Sequence, residues 1–152
     1  MPTRARLFRH VLHATDFSGA SGKAFTTAVA VARANRAALT VVHVLTPIVP
    51  MTTEGFVLPE TYERIEASAR TGAQKQLDRL LARAGQAGVR ARGMLLTGVP
   101  HDAIARTARS KRADLLVIGT HGRTGLARVF LGSVAARVVA VAHCPVLTVR
   151  GR

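Results

Sequence analysis

The run Asp114–Gly119 (DLLVIG) is apolar at every position between an aspartate and a glycine. A strand with that pattern has no polar face to turn to water, so it belongs inside a sheet covered on both sides. Leu39–Leu45 (LTVVHVL) is nearly as apolar and rich in β-branched residues, which suit a pleated surface. Sheets covered on both faces are parallel, and parallel neighbours need crossover helices between them.

The remaining sequence supplies those crossovers. Phe8–Ala14 (FRHVLHA) is a short apolar run stopped at Thr15-Asp16-Phe17-Ser18-Gly19, and it reads as the first strand. Over residues 20–36, Phe25, Ala28, Val29 and Ala32 recur at helical spacing while Lys23, Arg33 and Arg36 fall outside that face. Residues 46–59 mix Pro47, Pro50, Gly55 and Pro59 with Met51, Phe56 and Val57, which predicts a flexible flap with no element of its own. From Glu60 to Ala84 one stripe holds Tyr62, Ile65, Ala69, Ala73, Leu77, Leu80 and Leu81. Glu60, Glu63 and Glu66 open this helix and Arg79 and Arg83 close it, the polarity that the helix dipole favours, and Gly85 and Gly88 are expected to stop it.

Val89–Thr97 alternates at first and suits an edge strand, and Pro100 opens a short helix with Asp102 in its first turn. Leu131–Ala142 offers Val134, Val138 and Val141 to one helical face, and Pro145–Val149 supplies the last strand. Strands and helices thus alternate along the chain, predicting an α/β domain with right-handed crossovers. At 152 residues the chain makes one such domain, spanning 1–152 and burying about two-thirds of its unfolded surface.

Composition narrows the function classes. Apolar residues are 48% and charged residues 20%, as in a packed globular protein, and five Phe and one Tyr leave the core aliphatic. Apolar stretches such as Ala28–Ala32 and Val138–Ala142 fall far below the roughly 18 residues that would cross a bilayer, so no membrane association is expected. The basic start MPTRARLFRH lacks the apolar region of a secretion signal, and a cytoplasmic protein is expected. Cys144, the single cysteine, agrees with a reducing compartment and reads as a small buried hydrophobe.

The net charge of +14 attracts phosphates and other anions, yet an arginine-rich surface also arises wherever a solvated charge is needed. With no nucleic-acid motif and few aromatics for stacking, nucleic acid is not an expected partner, although a basic interaction protein stands as the alternative function. The six histidines show no HExxH or other metal-ligand spacing, and no GxSxG nucleophile occurs.

The chemistry concentrates after the buried strand. Gly119-Thr120-His121-Gly122-Arg123-Thr124-Gly125 leads through Leu126–Leu131 to Gly132-Ser133 at the start of the last helix. Glycine admits positive φ and lets a ligand approach without a Cβ in the way, and a helix N-terminus offers unpaired N–H groups to an anion. The spacing, G-x2-G-x9-G-S, is neither Walker A nor GxGxxG. Arg123 and Arg128 either clamp terminal phosphates or lie in solvent. Asp16 and Ser133 each have a second reading, as a turn or cap residue and as a helix cap.

This pattern resembles the signature of nucleotide-binding universal stress proteins. The likeness includes the strand endings Ala14-Thr15-Asp16-Phe17-Ser18 and His43-Val44, the helix start Gly98-Val99-Pro100-His101 and the finish Cys144-Pro145-Val146-Leu147, and so covers essentially the whole chain. It implies an open five-stranded parallel sheet, Rossmann-like, of order 3-2-1-4-5. It further implies that Ala14, Thr15 and Asp16 line the base and ribose side of a nucleotide, that Val44 touches adenine, and that Ile118, Gly119, Gly122, Gly132, Ser133 and Val134 line the ribose and phosphate side; His121, through its backbone, and Arg123 are added as candidates because they lie inside the same loop. The implied ligand is ATP, or ADP or AMP, with Mg2+ or Mn2+ carried on the phosphates. The same likeness implies a regulatory stress-response module with at most slow hydrolysis, and a homodimer through the last strand at 145–149, with further protein partners unnamed.

Overall fold

In the computed structural model the described residues are 6–47, 51–52, 55–56, 58–121 and 131–151. Five strands form one parallel sheet: β1 His10–Ala14, β2 Ala38–Leu45, β5 Ala91–Thr97, β6 Leu115–Gly119 and β7 Val146–Val149. Their order is β5-β2-β1-β6-β7, which is 3-2-1-4-5 counted along the chain. The helices are α1 Gly19–Asn35, α2 Pro59–Gln86, α3 Pro100–Ser110 and α4 Ser133–Val141.

Alternation along β1 divides the core in two. Val11 and His13 point to one face, where Phe25, Ala28 and Ala32 of α1 and Leu77 of α2 meet Leu39, Val41 and Val117. Leu12 and Ala14 point to the other, where Ile104 and Ala108 of α3 and Ala135 and Val138 of α4 cover Val42 and Leu116. Each large aliphatic or aromatic side chain withdrawn from water in these layers contributes about 1.5–3 kcal/mol. Asp114 ties the start of β6 to the start of β1: its carboxylate oxygens accept the N–H groups of Arg9 (2.8 Å) and His10 (3.0 Å).

Three helices end in one way. After α1, α2 and α3 the amides of Ala37, Val89 and Ala113 reach back to the carbonyls of Ala32, Ala84 and Ala108 at 2.8–2.9 Å. The residue just before each of these is left-handed: Arg36 (φ 51), Gly88 (φ 77) and Arg112 (φ 53). This is the Schellman termination, with its following apolar residue buried.

Several expectations are corrected here. α2 runs through Gly85 to Gln86, because the left-handed turn that stops a helix falls on Gly88. Its stripe is buried only from Ala73 onward: a 28-residue helix is far longer than the seven-residue strand β5 it packs on, and Ile65 is exposed. The segment 46–59, read as lacking any element, carries a small antiparallel pair, β3 Met51–Thr52 with β4 Gly55–Phe56; its residues 48–50, 53–54 and 57 lie outside the described residues. On α4 the buried positions are Ala135 and Val138, whereas Val141 is exposed near the helix end.

Candidate functional site at the strand ends

The chain reverses its direction across the sheet between β1 and β6, and open α/β sheets bind ligands at the carboxyl ends of strands at such a point. A cleft of about 690 Å³ lies there, a volume that suits a small-molecule ligand. Its floor is Ala14, Thr15 and Asp16 at the end of β1, beside Val42, His43 and Val44 of β2. Ile118, Gly119, Thr120 and His121 from the end of β6 and Gly132, Ser133 and Val134 at the start of α4 form one wall. Every described residue singled out from the sequence lines this cleft, while Gly122, Arg123 and Arg128 lie outside the described residues.

The β1 end is held by a local network. The chain turns at Phe17, in the left-handed region at φ 62, and Ser18 caps α1 by accepting from the Ser21 amide. Asp16 Oδ1 accepts from the Ser18 amide (3.0 Å) and from the Ser21 hydroxyl (2.6 Å), while Ser21 Oγ accepts from the Asp16 amide (3.1 Å). Burial opposes ionisation of Asp16, but these hydrogen bonds outweigh it and hold the carboxyl below its usual value. The turn role and a place in the cleft therefore coincide in one residue. His43 is buried, its Nδ1 pairs with the Thr15 carbonyl at 2.8 Å, and its ring stacks on Phe17 with centroids 4.4 Å apart.

The glycines of the opposite wall serve packing rather than positive φ. A Cβ on Gly119 would stand 3.2 Å from the backbone of Ala20 at the start of α1. Gly132 has φ −57, and a Cβ there would meet the Thr120 carbonyl at 2.8 Å. Gly132 itself is the cap of α4, so Ser133 is the first helical residue and not the cap. Among the described residues no side chain caps α4, whose first turn, Ser133–Ala135, faces the cleft. The first intrahelical bond runs from the Ala136 amide to the Gly132 carbonyl at 2.8 Å, so the amides before it lack helical partners.

Sequence reasoning missed the third wall. Ala69, Gly72, Ala73 and Gln76 of α2, with Pro100 and Ile104 of α3, close the cleft. The signal on α2 was the small residues Ala69, Gly72 and Ala73 at i, i+3 and i+4 on one helix face, of which Ala69 and Ala73 read as part of the apolar stripe. Val42, Val44, Ile104 and Ile118 give the cleft an apolar stretch. Among the described residues no cluster of His, Cys, Asp or Glu could hold a metal ion, and no helix is long and apolar enough to cross a membrane. Cys144 is half-buried, and burial with the nearby Asp114 charge pushes its thiol up, away from nucleophilic character.

An open 3-2-1-4-5 sheet with a cleft at its reversal point defines a Rossmann-like α/β domain. Comparison with known proteins identifies which one. The universal stress protein family profile matches residues 7–150, and the chain belongs to that family. A universal stress protein of Methanocaldococcus jannaschii is 36% identical over 146 residues, covering 95% of this chain and 83% of its own. One from Thermus aquaticus is 36% identical over 144 residues, covering 95% of this chain and 100% of its own. Among solved structures, a universal stress protein from Lactobacillus plantarum superposes with a TM-score of 0.84 at 26% identity, covering 96% of this chain and 99% of its own. A universal stress protein solved in complex with cAMP gives 0.71 at 27% identity, covering 95% and 98%.

Proposed function

We propose that the cleft binds an adenine nucleotide, ATP in the first instance, and that nucleotide occupancy biases the partner binding of a regulatory stress-response module. The observation that carries this reading is the first turn of α4, which no side chain caps among the described residues and which lines the same cleft as Asp16. Such a turn favours phosphate through both its unpaired donors and the helix dipole. The apolar stretch, with Val44 and Ile118, suits a flat purine, and Ala14, Thr15 and Asp16 sit where base and ribose would pass. Gly119, His121, Gly132, Ser133 and Val134 would then run along ribose and phosphates; Gly122 and Arg123, outside the described residues, are assigned to the phosphate side on sequence alone. A relative that binds cAMP supports an adenine-sized ligand in this fold.

Divalent metal would arrive on the triphosphate, since Mg2+ is usually held by phosphates and a few oxygens rather than by a protein cage. The arrangement suits holding better than turnover: Asp16, the carboxylate of the floor, is already oriented by Ser18 and Ser21. The test is to denature the purified protein, identify any released nucleotide, and titrate ATP, ADP and AMP. Tight ATP binding without sustained phosphate release supports the reading, and steady turnover lost in Gly132→Val would replace it with an ATPase. We further propose a homodimer through the β7 edge, where Leu147 of the strand and Val139 and Val141 of α4 are large apolar side chains left exposed.

A further inference from the structure

The two ends of the fold differ in charge: the cleft end mixes carboxylates with Lys23, Arg64, Arg70 and Arg150, and the other end is dominated by arginines. Asp16 follows β1, Glu60, Glu63 and Glu66 open α2, and Asp102 opens α3, all at the cleft end of the sheet. The opposite end, where strands begin and helices finish, carries Arg9, Arg33, Arg36, Arg90, Arg109 and Arg112, every one of them exposed. These sites form one rim, since Ala38 bonds to the Arg9 carbonyl, Leu39 to the Arg90 carbonyl and Asp114 to the His10 carbonyl, each at 3.0 Å. None of these guanidiniums pairs with a carboxylate among the described residues. Asp114, the acidic residue at this pole, is engaged by the amides of Arg9 and His10.

Helix dipoles explain part of this: Arg33 and Arg109 lie in the last turns of α1 and α3, where cations are favoured. They do not explain Arg36 and Arg112. Both occupy the left-handed position that ends a helix, where α2 uses Gly88 and where a side chain is strained. At two of three equivalent turns the sequence thus accepts backbone strain and presents an arginine. Arg36 joins Arg33 and Arg90 around a hollow of about 280 Å³ floored by Ala32, Ala37, Gly88 and Val89.

We propose that this basic pole binds the phosphate backbone of duplex nucleic acid, with the hollow between Arg33, Arg36 and Arg90 as its first phosphate seat. Guanidiniums match phosphate oxygens in pairs, and a row of them along one rim suits a polymer of regularly spaced charges better than a single anion. The expectation against a nucleic-acid partner rested on missing motifs and scarce aromatics, and backbone binding to a duplex needs neither. An anionic membrane would ask for apolar side chains among the cations, and the large exposed ones at this pole among the described residues are Leu7 and, at the end of α4, Val141, which stands at the β7 edge away from Arg33, Arg36 and Arg90.

The test measures binding of the full chain to a random-sequence DNA duplex by fluorescence anisotropy across a salt titration. Arg36→Gly with Arg112→Gly removes two charges while giving both turns their preferred residue. The pair is expected to keep or raise the melting temperature, weaken binding about tenfold, and lower the salt slope by about 2, at about 0.9 per phosphate contact. Arg64→Gln with Lys75→Gln removes the same charge from α2 and is expected to leave the slope unchanged. Equal losses in the two pairs, no binding by the unaltered chain, or tighter binding to phosphatidylserine–phosphatidylcholine vesicles than to the duplex would overturn the proposal.

Discussion

The Gly132 amide donates to the Thr120 carbonyl at 2.6 Å, and a Cβ on Gly132 would stand 2.8 Å from that same oxygen. The contact closes the backbone between the end of β6 and the start of α4, and so sets the direction in which α4 presents its first turn. Two consequences separate: one for stability, one for ligand.

For stability, Gly132→Ala forces backbone against backbone and should cost about 1–3 kcal/mol, the range for overpacked sites. Gly119→Ala meets Ala20 at the looser distance of 3.2 Å and should cost less. Urea unfolding of the two variants checks the ranking, and a Gly132→Ala protein as stable as the parent would show that this wall yields freely.

His13 predicts acid sensitivity. Burial lowers its pKa from 6.5 to about 4, against the Val117 carbonyl, which Nδ1 meets at 3.0 Å, and the Asp16 charge, both of which raise it. Among the described residues its Nε2 has no partner, and the ring lies near Phe25 in the core. Because the folded value is depressed, the stabilisation is complete above pH 6.5 and is lost as pH falls through about 4. The loss has a ceiling of about 3 kcal/mol, at about 1.4 kcal/mol per pKa unit. In His13→Gln, which keeps a donor but does not titrate, the fall in stability over this window should shrink, as followed by urea midpoints against pH.

Asp114 predicts a local dependence. Replacing it with alanine leaves the Arg9 and His10 amides without their acceptor and should destabilise by about 1–3 kcal/mol. Asp114→Asn, which retains one acceptor, should recover part of this. Hydrogen exchange at those two amides should accelerate in the alanine variant, and unchanged exchange with unchanged stability would show that the carboxylate does not hold them.

Much of the fold was legible because strands buried on both faces announce themselves: Leu39–Leu45 and Leu115–Gly119 could go nowhere except the centre of the sheet. The cleft residues of β6 and α4 were legible through glycine spacing, although the reason for Gly119 and Gly132 proved to be backbone packing. What local pattern could not convey was which part of a long helix meets what. The stripe on α2 is uniform in sequence, yet Leu77 is core, Ala73 is both buried and cleft wall, and Ile65 faces water. The arginine at position 36 was likewise readable only as a solvated charge until its φ of 51 showed it in a glycine's place.

The β7 edge predicts self-association. Leu147→Asp on that strand should convert a dimer to a monomer in sedimentation at micromolar concentration, and a monomeric parent protein would remove the need for cover at this edge.

The account stands on nucleotide in the cleft, and calorimetric titration of ATP into the parent protein and Gly132→Val tests it most directly. The parent should bind ATP, and the variant, with its α4 turn displaced from Thr120, should lose at least about tenfold in affinity, or about 1.4 kcal/mol. Equal affinity in a folded variant, or no binding by the parent, would contradict a phosphate seat at the start of α4.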